Sequence, residues 1–480
     1  MILLSLDNFH MLKTFSLTNN NKINLNTAMF WILVLLLGVL PSTLQHEEYG
    51  KFSYANNILS FQEVSTTDGV SEIVHEEDGL DPKPPSIFER TSISKVFLLN
   101  RNLTAIQEGT FNGFGSLKVL NLDENLISHI PERVFDGLDS LMVISFKRNQ
   151  LEQFKIVSSS VRSLHLSKNL LKKVTNEMFA NTPSIEILNL HGNILEELEP
   201  LAFSSLGDLK SLTLSNNRIK TLPDDIFVHC PEIVNLYLED NQLKALGGSF
   251  QPLKHLITLF LQNNKIAEVD SRAFHNLKDL NTLDLSNNSL VTLHEAVFKH
   301  LDQLGELLLQ NNQIEDLPDA IFGDLSKLSR LLLNGNKITS LQADIFQGLR
   351  ELRNLKLGNN QIRSLVKGSF TGLDRCYDLD LTKNNLSRLK TDVFTGLKSL
   401  EQLILNENEL SEVDVGAFNG LDLLYIISLE NAKIQTLDAL AEMGGLQIIA
   451  LRGTKFQNDT ELRVGSKLYK VNTYQTWVLA

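Results

Sequence analysis

The sequence predicts an α/β repeat solenoid of horseshoe form, with a parallel sheet on its concave face and an irregular convex face carrying a phenylalanine spine. Three observations predict it. The pattern L-x-x-L-x-L-x-x-N-x-L-x-x-L returns about every 24 residues from Ile93, as in LKVLNLDENLISHI from Leu117, LKSLTLSNNRIKTL from Leu209 and LNTLDLSNNSLVTL from Leu280. One slot of that pattern is held almost throughout by asparagine. Another slot, between one pattern and the next, is held by phenylalanine. A fixed period of this length marks stacked supersecondary units, none of which buries its apolar face alone.

There are 16 copies, beginning at Ile93, Leu117, Leu141, Val161, Ile185, Leu209, Ile233, Leu256, Leu280, Leu304, Leu328, Leu352, Cys376, Leu400, Leu424 and Leu446. The copy at Leu141 is shorter by four residues. The L-x-L core alternates with period two, so Leu283 and Leu285 point inward while Thr282, Asp284 and Ser286 point outward from a short strand. At ~4.8 Å per strand, the stacked copies span roughly 75 Å of inner surface.

The asparagine slot holds Asn125, Asn149, Asn169, Asn193, Asn217, Asn241, Asn264, Asn288, Asn312, Asn336, Asn360, Asn384 and Asn408. A buried amide there is expected to satisfy turn backbone groups of adjacent coils, and losing one should cost about 1–3 kcal/mol. The spine comprises Phe111, Phe135, Phe179, Phe203, Phe227, Phe250, Phe274, Phe298, Phe322, Phe346, Phe370, Phe394 and Phe418. Both ladders read as architecture. Arg101, Ala432 and Thr454 stand in the asparagine slot of the terminal copies, as expected of atypical end units. Residues 93–456 therefore form the repeat region, and 457–480, with Tyr469, Tyr474 and Trp477, form a C-terminal cap.

Ahead of the repeats, residues 1–45 read as a leader. The run AMFWILVLLLGVL, Ala28 to Leu40, suits a signal-peptide core and is shorter than the ~20 residues that cross a bilayer. Translation starts at Met1 or Met29, and no membrane span is expected once the leader is removed. Residues 46–92 form an acidic flank with Pro82, Pro84 and Pro85, read as a mostly irregular spacer rather than a binding arm. The net charge of −13 argues against nucleic acid, whose phosphates call for clustered Lys and Arg. Cys230 and Cys376 both occupy apolar slots seven copies apart, too distant for a disulfide, and read as buried thiols.

These motifs resemble the leucine-rich repeat family in its 24-residue extracellular subtype, across about three quarters of the chain. The layout is similar to insect secreted and cell-surface members, including Toll-type ectodomains and the mosquito leucine-rich repeat immune proteins. The resemblance implies a protein ligand or receptor bound on the concave face, in innate immunity or receptor–ligand signalling. The chain departs from that group in lacking disulfide-bonded caps.

The outward central strand position reads Asn189, Thr213, Tyr237, Phe260, Asp284, Leu308, Leu332, Lys356, Asp380 and Ile404. Tyr237, Phe260, Asp284, Leu308, Leu332 and Lys356 are the candidate ligand-binding residues. Large apolar groups on a solvent-facing sheet mark interaction sites, or else pack across strands. Charge alternates along the same face, with Lys147, Arg148, Arg162, His165 and Lys168 early, Arg330, Arg353 and Lys356 later, and Asp378, Asp380 and Glu401 beyond. That alternation either orients a charged protein or simply keeps the face hydrated. Sequons at Asn102, Asn287, Asn385 and Asn458 are candidate glycosylation sites that fit a secretory route.

No metal-ligand spacing, nucleophile elbow or phosphate-binding glycine loop occurs, so neither a catalytic residue nor a cofactor is expected. The function predicted is that of a secreted, non-enzymatic recognition protein. A structural or adhesive matrix protein and an intracellular adaptor are the alternatives.

Overall fold

Every copy of the repeat opens on a three-residue strand, from Lys95–Phe97 in the first to Ile448–Ala450 in the last, and each pairs in parallel with its neighbours. The computed structural model describes residues 93–457, 459, 461–471 and 476–479. It also describes the backbone of three earlier strands, Phe52–Ala55, Ile58–Phe61 and Glu72–Ile73. All of these lie in one unit, Tyr49–Ala480. The leader, its cleavage site and most of the acidic flank fall outside the described residues.

The register follows the sequence period. Leu283 faces Leu307 and Leu307 faces Leu331, one repeat apart. The short copy places Ile144 opposite Leu164, so its missing residues are taken from the turns and not from the sheet. Most strands alternate half-buried, buried, half-buried, as in Asn235–Tyr237, Thr258–Phe260 and Thr282–Asp284, because successive residues point to opposite faces and the middle aliphatic residue reaches the core. Between the inner strands the chain runs mostly in turns, with two-residue parallel pairs at Lys173–Val174 and Glu197–Leu198, Ala245–Leu246 and Glu268–Val269, and Arg388–Leu389 and Glu412–Val413; the described residues hold a single 3₁₀ segment, Asp438–Leu440, with no α-helix.

The asparagine ladder shows why its slot tolerates so little variation. Asn288 Oδ1 accepts the Ile266 N–H of the preceding coil at 2.9 Å, and its Nδ2 donates to Leu261 O at 3.0 Å and Leu285 O at 3.1 Å. One buried side chain thereby satisfies backbone groups of two coils that no strand reaches. The same bonds recur from Asn125 to Asn408. The residue before every ladder asparagine has a positive φ, from Glu124 at 59° to Glu407 at 54°, with Gly192 and Gly335 at two positions. Asn and Gly adopt that conformation most readily, which accounts for the doublets Asn216–Asn217, Asn263–Asn264, Asn287–Asn288, Asn311–Asn312 and Asn359–Asn360.

The spine phenylalanines are buried and stack between coils: Phe203 on Phe227 at 6.3 Å and 5°, Phe322 on Phe346 at 6.1 Å and 14°. Stacking stops at the short copy, which lacks a spine residue. There Phe146 and Phe154 occupy leucine slots, and the rings run Phe135–Phe146–Phe154 edge to face at 6.3 and 6.2 Å. Two larger side chains fill the space that the absent turn leaves, as close packing requires.

Both ends of the sheet are closed by chain outside the repeats. Glu72–Ile73 pairs in parallel with Lys95–Phe97, and the hairpin Phe52–Ala55/Ile58–Phe61 pairs with Ala105–Ile106. The acidic flank is thus more than an irregular spacer, since it contributes strands to the first coil. At the other end Trp477–Leu479 runs antiparallel to Ile448–Ala450, followed outward by Lys467–Val471 and Glu461–Val464. Trp477, Tyr469, Leu462 and Val464 are buried over the last coil, and Tyr469 Oη donates to Leu446 O at 3.1 Å.

Candidate recognition surface

The six residues singled out from the sequence form one continuous file on the inner face. Tyr237 is registered opposite Phe260, Phe260 opposite Asp284, Asp284 opposite Leu308, Leu308 opposite Leu332 and Leu332 opposite Lys356. All six are half-buried, since each shares the sheet surface with a neighbour above and below. Tyr237 and Phe260 meet edge to face at 5.5 Å and 73°, so cross-strand packing holds the rings while part of each stays open to solvent. Just before these strands stand Val234, half-buried, and Ile257, exposed.

The charges of the inner face are largely consumed by one another. Glu186 takes Arg162 at 2.6 Å and Lys210 at 2.7 Å. Burial pushes its carboxyl up, but the hydrogen bonds from Lys210 and Arg162 outweigh it and hold the group below the ordinary range. Further along, Lys356 Nζ reaches both oxygens of Asp378, at 2.9 and 2.7 Å, and Arg330 lies 3.9 Å from Glu306. Lys356 therefore faces any ligand as half of an ion pair. His165 is held down to about 4 by burial and by the Lys147 charge, and its Nε2 shares a hydrogen bond of 2.9 Å with Ser163 Oγ.

Between these paired stretches lies a different environment. Burial raises the Asp284 carboxyl despite the hydrogen bond from the Ser286 N–H at 2.8 Å. Glu239, two residues beyond Tyr237, is raised by burial and by the neighbouring charges of Asp240 and Asp284. Burial and Glu239 together raise the Tyr237 phenol. The sequence pattern turned Ser286 outward, but Glu239, Gln262 and Gln310 of the same row were not among the residues picked out from it. Strand alternation continued one step past the L-x-L core would have found them, because these positions face the same way as the central file.

Among the sequons, Asn102, Asn287 and Asn385 are exposed, and Asn458 lies outside the described residues. Asn287 Oδ1 accepts from Asn311 Nδ2 at 2.8 Å, and its φ of 53° belongs to the ladder turn. Both cysteines are free and fully buried, with their thiols pushed up to about 12 by burial. Among the described residues, no three His, Cys, Asp or Glu side chains converge on a metal position, and no helix is long and apolar enough to cross a membrane.

A parallel solenoid whose side chains line an open inner sheet defines a class of repeat scaffold. The family model for leucine rich repeats matches residues 91–151, 159–219, 208–266, 254–314, 302–362 and 350–410. The chain belongs to the leucine-rich repeat family. A segment of 104 residues is 36% identical to leucine-rich repeat-containing protein 3 of Danio rerio, covering 21% of this chain and 38% of that protein. The chain spans between 24% and 38% of the length of the curated relatives it matches. Among solved structures, a leucine-rich repeat protein of Leptospira interrogans superposes with a TM-score of 0.58 at 26% identity, covering 72% of this chain and 86% of that one. The Drosophila Toll–Spatzle complex shares the fold with a TM-score of 0.54 at 19% identity, covering 78% of this chain and 66% of that one.

Proposed function

We propose that this protein is a secreted recognition protein that binds a protein ligand or receptor on its concave sheet and catalyses no reaction. The observation carrying this reading is the unbroken file from Tyr237 to Lys356, in which aromatic and aliphatic side chains are fixed by the sheet yet half open to solvent. Aromatic groups held rigidly at the centre of a surface give contact area at little entropic cost, which is the usual make-up of a binding hot spot. Secretion is supported by the apolar run from Ala28 to Leu40 and by three exposed sequons. The similar Toll–Spatzle structure is a complex described as a hub in development and innate immunity, which supports a ligand-binding role of that kind here.

The test is affinity capture from the fluid or cell surface in which the protein resides, with wild type and the double variant Tyr237→Ala/Phe260→Ala compared at equal folded concentration. Loss of about 2 kcal/mol or more in partner affinity is expected for a central aromatic pair. Unchanged capture by a folded double variant rejects the concave file as the docking site.

A further inference from the structure

Four consecutive coils of the inner face differ from those on either side. The stretches Val234–Asn241, Ile257–Asn264, Asn281–Asn288 and Gly305–Asn312 carry Glu239, Asp240, Asp284 and Glu306 and not one lysine, arginine or histidine. Of these carboxylates only Glu306 forms a salt bridge among the described residues, with Arg330 of the next coil. Asp240 accepts from the Asn263 amide at 2.9 Å, and Asp284 accepts from the hydroxyl of Ser286 and from its N–H at 2.8 Å. Coils farther along in each direction behave oppositely, with Glu186 held by Arg162 and Lys210 on one side and Asp378 held by Lys356 on the other. The row beside Tyr237, Phe260 and Leu308 is likewise short of donors: Glu239 Oε2, Gln262 Oε1 and Gln310 Oε1 are closed off from solvent with no donor in the protein, and the Glu239 carboxyl is bonded only by the Ser215 hydroxyl and backbone. Alongside these acceptors, the Tyr237–Phe260 pair, Val234 and the exposed Ile257 supply an apolar floor.

Resting on the concave-face reading above, we propose that this window takes a protein segment presenting a lysine or arginine beside an apolar side chain. A cation placed over the Tyr237 or Phe260 ring is attracted by the negative face of the aromatic system and by the carboxylates of Glu239, Asp240 and Asp284, none of which has a cationic partner. The apolar neighbour covers Val234 and Ile257. The paired cations at Lys210 and Arg330 border the window, so an anionic segment meets unpaired like charge at its centre and no free cation at its edges.

The experiment uses the secreted full chain and fluorescein-labelled peptides of alternating leucine and lysine spaced by glycine. Counterparts carry glutamate or N-acetyllysine in place of lysine. Binding is read by fluorescence anisotropy at two salt concentrations. The lysine peptide is expected to bind at least about tenfold tighter than either counterpart, with the advantage falling as salt rises. The variant Glu239→Gln/Asp240→Asn/Asp284→Asn should abolish that preference. The control Glu268→Gln/Glu295→Gln/Glu315→Gln, which removes the same charge from exposed positions away from the inner file, should keep it. Equal binding of lysine and glutamate peptides, equal loss in both triple variants, or no binding of any peptide overturns the proposal. Should partner capture still depend on Tyr237 and Phe260 under any of those outcomes, the docking surface stands and only the cationic chemistry is rejected.

Discussion

At the scale of single residues, the inner face mixes groups whose protonation works in opposite directions. His165 is neutral in the folded protein down to about pH 4, whereas an unfolded histidine takes its proton near 6.5. Between those values the unfolded chain binds a proton that the folded chain refuses, so stability falls as pH drops from about 6.5 to 4 and no further below. Asp284 and Glu239 have raised carboxyls, so the folded protein accepts their protons first and gains stability as pH falls through those raised values. His165→Gln is therefore expected to flatten the drop in urea midpoint between pH 7 and 4.5, while Asp284→Asn removes a gain of the opposite sign as pH falls. Identical pH profiles for wild type and His165→Gln would show that the imidazole is already solvated. The two thiols take no part in this range, since burial keeps both protonated.

At the scale of the element, each coil is stabilised by its neighbours through an amide bridge on one side and a ring stack on the other. Phe322 sits between Phe298 at 6.5 Å and Phe346 at 6.1 Å, so truncation removes two contacts and opens a cavity that close-packed leucines cannot collapse into. Phe322→Ala is expected to cost about 3–5 kcal/mol. Because the array is held together by nearest-neighbour interfaces, the loss should also split urea unfolding into two phases, one for each side of the damaged coil. Circular dichroism and intrinsic fluorescence followed together would detect it, and a single coincident transition with an unshifted midpoint would show that the stack contributes little. The short copy makes the same point in reverse, for where the spine residue is missing Phe146 and Phe154 restore the lost volume.

At the scale of the described unit, the solenoid has two sheet edges, and an unpaired edge is a template for association. The strand Ile448–Ala450 is covered by Trp477–Leu479, with Trp477 fully buried beside it. Deleting residues 461–480 would uncover that strand together with the apolar end of the last coil. The truncated protein is expected to form oligomers on size-exclusion chromatography with light scattering and to unfold at a lower temperature. A monodisperse truncation of undiminished stability would mean that the cap is dispensable. The outermost strand of the cap, Glu461–Val464, is short and turns Glu461 and Arg463 to solvent, which limits further pairing.

The sequence by itself determined the coil, its strand, the asparagine and phenylalanine ladders, and the file of residues from Tyr237 to Lys356. Each is written in a local pattern that repeats, and stacking identical units leaves only one register. The tertiary structure alone decided what occurs once. The antiparallel pairing within the cap and the flank strands have no period to reveal them, and the pairing of Lys356 with Asp378 depends on side-chain reach between coils. The donor-poor window around Glu239 stayed hidden for the same reason: the pattern shows which way a side chain points, but its hydrogen-bond partners depend on the coils stacked against it.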